Sequence, residues 1–138
     1  MIVKDTELKQ MRDEDLYRVY VRTLGERDCA SLQEAADVSR MEVAERYYIS
    51  ANEASSHIGS IQSGRSLINL NSCSRRRIWQ LWDNYRRWLE EHPGSTLSRE
   101  RIMEELVQEP APEFYISASH ARHIIIKERR KVRRRLGT

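Results

Sequence analysis

The chain has 138 residues, 33% of them charged and 39% apolar, and its 24 Lys/Arg against 21 Asp/Glu give a formal charge of +3. That apolar fraction, with three Trp, excludes wholesale disorder. No run approaches the roughly 18 apolar residues of a spanning helix, and the charged start from Met1 to Asp15 lacks the apolar core of a secretory leader, so a cytoplasmic setting is expected. The length suits one domain or two very small ones.

In chain order, residues 1–10 read as a polar lead-in. A helix is predicted from Asp13, where Leu16, Val19, Tyr20 and Leu24 recur at helical spacing before Gly25. Ser31 with Glu34 has the form of a capping box, and a second helix should follow it to about Val38, extending at most to Ala44. Tyr47-Tyr48-Ile49 is a short β-favouring run, either a strand or an extended connector. Ser50 then caps a third helix carrying Ala51, Ala54, Ile58 and Ile61 on one face, which Gly59 and Gly64 weaken and stop. Residues 64–73 form a join rich in Ser, Asn and Gly.

The clearest helix runs from about Ser74 to Glu91, with Ile78, Leu81, Trp82, Tyr85, Trp88 and Leu89 as one stripe. Trp79 lies at the margin of that stripe and is expected to widen the buried face. Pro93-Gly94 ends this helix, and Ser95, Thr96 or Ser98 caps the next, striped by Ile102, Met103 and Leu106. Pro110 and Pro112 stop it, since neither can continue a helix. Ser117 caps a last helix towards Arg135.

Tyr48-Ile-Ser-Ala51 returns as Tyr115-Ile-Ser-Ala118, and six of the eleven positions from Tyr48 to Ile58 match at an offset of 67. Two copies of one supersecondary unit follow from this. The predicted fold is all-α: a first three-helix repeat over 1–63, a linker over 64–73 and a second repeat over 74–138, two tandem helix-turn-helix-like units packed as one body. The repeated aromatic before each cap serine reads as a hydrophobic staple rather than a base-stacking platform.

The chemistry-bearing patterns are few. Cys29 and Cys73 lack Cys-x-x-Cys spacing and read as reduced thiols. His120 and His123 lie three apart on one helix, but no HExxH pattern, phosphate loop or nucleophile elbow accompanies them, so neither an enzyme activity, a metal nor a cofactor is expected. Charge carries the functional signal. From Tyr115 onward eight Lys/Arg face one acid, Glu128, so this stretch carries +7 and the preceding 114 residues −4. Nucleic acid, with duplex DNA foremost, is the partner most often met by such a basic face. The candidate contacts are Ser119, Arg122, His123, Lys127, Arg129, Arg130, Lys131, Arg133, Arg134 and Arg135, mainly reaching phosphates from a helix-turn-helix arrangement. The competing readings are a solvated basic face and an interaction module for an acidic protein. The third helix of the first copy has no Lys or Arg between Ala51 and Gln62.

The run Pro110-Ala-Pro-Glu-Phe-Tyr-Ile-Ser117, with Ala121 and Ile125, resembles a PAPxFY[VI]S segment of small uncharacterised proteins from gut-type bacterial genomes, their mobile elements and phages. In them too a helix rich in aromatics and arginine, like Arg75–Arg87, lies nearby. The resemblance covers the second copy; in the first, Val43 and Glu45 stand where the prolines would fall. It implies a bacterial or phage setting and no particular activity.

Overall fold

A computed structural model describes residues 4–137. The protein is all-α, with α1 (Asp5–Glu26), α2 (Leu32–Arg40), α3 (Ala51–Gln62), α4 (Ser72–Glu91), α5 (Arg99–Leu106) and α6 (Ala118–Arg135). Among the described residues, the strand-like pairing is confined to an isolated antiparallel bridge between Ala44 and Ala111. Tyr47-Tyr48-Ile49 is therefore a connector.

Five helices start on a polar cap. The side chains of Ser31, Ser50, Asn71, Ser98 and Ser117 each accept the amide hydrogen bond of the third helical residue, at 2.8–3.2 Å. Each satisfies one of the orphan donors of a helix start and is worth about 1 kcal/mol. The Glu34 carboxylate reaches back to the amide of Ala30 at 2.9 Å, a variant of the capping box predicted for this turn.

The helices sort into two compact units. Unit 1 takes in residues up to Leu8 with Arg46–Glu109; unit 2 takes in Lys9–Glu45 with residues from Pro110 onward. In unit 1, α3 packs against α4 and α5, which also pack on each other. In unit 2, α6 packs against α2, and most of α1 belongs with them. The sequence repeat is thus not the packing unit. Boundaries at 1–63 and 74–138 describe the duplication, whereas each unit draws its first two helices from one copy and its third from the other. The 64–73 segment is no divider either, since it lies inside unit 1. The helix-turn-helix pairing expected between α5 and α6 is not how these helices are used: α5 packs in unit 1 and α6 in unit 2. The physical reason lies at the connector. Ala111 is tied to Ala44 by both amides at 2.9 and 3.0 Å, and the Phe114 amide donates to Arg40 O at 3.0 Å, so the chain after α5 runs along the end of α2 and delivers α6 there.

Unit 1 makes the corresponding bond, Tyr47 N–H to Val107 O at 3.0 Å, at residues shifted by 67. In both copies the tyrosine before Ile-Ser adopts a left-handed conformation, Tyr48 at φ 54° and Tyr115 at φ 56°. A bulky residue there costs about 1–3 kcal/mol, so the same tight bend is imposed twice by its surroundings. Tyr47 is 3% exposed, and its hydroxyl accepts from Asn84 Nδ2 on α4 at 2.9 Å, so it docks the connector onto α4. Burial raises the Tyr47 phenol above its ordinary value, against the opposing pull of the Asn84 hydrogen bond.

Three further expectations change. First, α1 begins at Asp5, not Asp13, so the lead-in from Lys4 is mostly helix; Met1–Val3 lie outside the described residues. Its pattern is blurred because the buried face includes Asp13, Asp15 and Thr23 beside Leu8, Leu16, Val19 and Tyr20. Second, α3 passes through Gly59 without a break. A Cβ there would meet the Arg99 guanidinium at 2.8 Å, so this glycine opens room for Arg99 to lie across the helix. Third, Trp79 is 48% exposed and does not extend the buried stripe of Ile78, Leu81 and Tyr85.

Candidate nucleic-acid interface

The site is built on α6, whose buried side is Ala121, Ile124, Ile125 and Glu128. Helical spacing then turns the candidate residues outward in two tiers. Ser119, His123, Lys127, Arg130, Arg133, Arg134 and Arg135 are exposed, while Arg122, Arg129 and Lys131 are half-buried. The helix stays regular to Arg135, so its last arginines are an ordered turn and not a tail. Arg133, Arg134 and Arg135 in that turn also sit favourably at the negative end of the helix dipole.

The cations are not equally available. Lys127 Nζ donates to Asp13 Oδ2 of α1, and Lys131 Nζ lies 2.9 Å from Glu128 Oε2, so two of the ten candidates are committed to buried carboxylates. Arg133 likewise has a partner. Arg122, Arg129 and Arg130 have no acid within ion-pair distance among the described residues. The repeat places the equivalents of these three at Ser55 and Gln62 on α3 and at Ser63, its C-cap. There the polar groups are served from outside, by Arg99 Nε to Ser55 Oγ at 3.0 Å and Arg99 Nη1 to Gln62 Oε1 at 2.8 Å. The position equivalent to Arg99 on α2 is Leu32.

Beside the N-terminal half of α6 lies a shallow depression of 270 Å³, lined by Lys9, Arg12 and Asp13 of α1 and His120, His123, Ile124 and Lys127 of α6. Asp13 is 4% exposed and ties Arg12 at 3.0 Å as well as Lys127. Partial burial, and next the Arg12 guanidinium, lower the pKa of His120; Asp13 opposes them, and Lys127 and His123 lower it further. A more spacious cleft of 440 Å³ in unit 1 contrasts with it. Its ionisable lining is Arg46, Arg101, Glu100 and Glu104, which cancel, and Arg101 is already paired with Glu104 at 2.8 Å.

Lys9 and Arg12 are residues that the sequence reading misses. The signal for them is their place on α1: with Asp13 they recur at the three- and four-residue spacing of one helix face, once the helix is taken to start at Asp5. Among the described residues, no group of three or more His, Cys, Asp or Glu could hold a metal ion, and no helix is long and apolar enough to cross a membrane. Cys29 and Cys73 are free thiols, each half-buried. Comparison with known protein families, with curated proteins and with solved structures finds no match.

Proposed function

We propose that the protein binds nucleic acid, duplex DNA foremost, through the outward face of α6, without enzymatic activity and with phosphates as its main contacts. The observation that supports this reading is the set Arg122, Arg129 and Arg130. They stand without acid partners among the described residues, on a helix whose repeat-related counterpart is built without a Lys or Arg. The fold tolerates Ser55, Gln62 and Ser63 at those positions in unit 1, so the helix and its packing do not require the arginines. A merely solvated basic face would not need to differ so sharply from its duplicate. The contacts are to phosphate because arginine guanidinium groups spread along a helix match backbone oxygens whatever the sequence. Since α6 packs on α2 and not behind α5, the proposed mode does not depend on a helix-turn-helix. The bacterial or phage setting suggested by the Pro110–Ser117 segment is compatible with such a role.

Fluorescence anisotropy with a labelled duplex, at about 50 mM and about 200 mM salt, tests it. Binding should weaken steeply with salt, and replacing Arg122, Arg129 and Arg130 by Ala should lower the salt slope by roughly one per lost contact. Lack of binding at low salt, or affinity indifferent to salt, defeats the reading. Equal affinity for DNA and for an unrelated polyanion would favour an acidic protein partner instead.

A further inference from the structure

We propose that the depression between α1 and α6 in unit 2 seats a backbone phosphate of the bound strand, with Lys9 and His123 as its rim ligands and Arg12 and Lys127 as charges held in place by Asp13. This rests on the nucleic-acid reading and extends the interface to α1, which the repeat alone would leave out.

Charge is the first support. Within the lining, Lys9, Arg12 and Lys127 set three cations against the carboxylate of Asp13, with Glu128 Oε2 also 3.9 Å from Lys127 Nζ. That carboxylate is buried and saturated by two of them, so it serves as an anchor and presents little negative surface of its own. The second support is size and openness. The volume of 270 Å³ lies below the ~300–1,000 Å³ typical of small-molecule sites, so an isolated nucleotide would bury little there. A phosphate carried in by a longer strand needs no more room, because the rest of its affinity comes from α6. The third support is the local potential: among the charges acting on His120, the cations prevail over Asp13 and disfavour a further positive charge, and such a field draws an anion. The donors also converge from two helices, which fixes a phosphate in register better than a single row of side chains would.

The test compares three exposed-residue variants in the full chain. Lys9→Ala and His123→Gln remove the rim ligands, while Arg22→Ala removes one cation from an exposed α1 position outside the depression. Duplex affinity at low salt should fall several-fold for Lys9→Ala, fall again in the double variant with His123→Gln, and lose about one unit of salt slope, with Arg22→Ala close to wild type. Imidazole NMR signals give an independent arm. Inorganic phosphate should move His120 and His123 and leave His57 and His92, both in unit 1, unmoved.

If the wild type binds duplex but Lys9→Ala matches Arg22→Ala, the phosphate seat is wrong and the nucleic-acid reading stands. If phosphate moves all four histidines alike or none, the seat is also wrong. If the wild type binds no duplex, the reading fails and takes this assignment with it, whatever the imidazole signals do.

Discussion

Units 1 and 2 are the same construction carried out with different side chains. Each has a capped third helix delivered by an aromatic connector, a left-handed tyrosine and one main-chain bond from the aromatic to the end of the neighbouring short helix. In unit 1 the interior of this joint is polar: Tyr47 bonds Asn84 on α4, and Arg99 covers α3 across Gly59. In unit 2 the aromatic is Phe114, which has no hydroxyl to satisfy, and Leu32 replaces Arg99. Where Arg99 serves Ser55 and Gln62 in unit 1, unit 2 carries Arg122 and Arg129 at the equivalent positions, both half-buried. The tyrosine bend and the helix cap are kept in both units, while the arginine lies across the third helix in one and on the third helix in the other.

The sharpest way to break this comparison is to cut it. Separating the chain within the join between α3 and α4 gives fragments that each lack a helix needed by either unit. Neither should fold alone, and mixing should restore helicity, as read by circular dichroism. Two independently helical fragments would show that the copies, not the units, carry the stability.

A core truncation comes next. Ile58 and Ile125 are fully buried at equivalent positions of α3 and α6. Ile58→Ala and Ile125→Ala should each cost about 2–5 kcal/mol in denaturant unfolding. Two separated transitions in either variant would mean that the units unfold independently; coincident ones would join them in one cooperative event.

Asp13→Asn strips two cations of their partner. It should destabilise unit 2 by about 1–3 kcal/mol, because Arg12 is largely buried whereas Lys127 can turn to solvent. The same change should tighten duplex binding, as Lys127 is released and a carboxylate is lost. Weaker binding by a folded variant would count against the electrostatic account of the depression.

The smallest effect is at Tyr47. Its phenol is raised in the folded state, so the folded chain holds the proton more firmly than the unfolded one. The resulting stability is complete below the ordinary value of 10.0 and is lost as pH rises through the folded pKa. Tyr47→Phe, which copies Phe114, should flatten that alkaline decline and cost about 0.5–1.5 kcal/mol at neutral pH from the orphaned Asn84 amide. Adding Asn84→Val should recover part of the cost, since it removes the amide left without its partner.

Much of this was legible in the sequence because it is local. The serine caps and the α4 stripe are set by residues within a few turns of one another, and the repeat is read by matching two short segments of the sequence. The exchange of third helices was not, because it depends on bonds such as Phe114 to Arg40, between segments far apart in the chain. The start of α1 was hidden by Asp13 and Asp15, whose burial is offset by partners both near and far in the chain: Arg12 and Lys127 for one, Arg18 and the Glu45 amide for the other. The α6 arginines were visible as charge. That Lys127 and Lys131 are already engaged, and that Lys9 and Arg12 line one depression with His120 and His123, required the fold.

The interleaved helices also impose an order on synthesis. On the ribosome α1 and α2 emerge early, yet unit 2 lacks its third helix until the whole of Arg46–Glu109 has been made. Unit 1 can therefore close first, while the α2 face with buried Ala35 and Ala36 waits for α6. Closure of unit 2 is a long-range event of the kind that folds slowly. A nascent chain halted before Ala118 would expose that apolar surface without yet having the basic face, so the basic face would be the last feature the chain acquires.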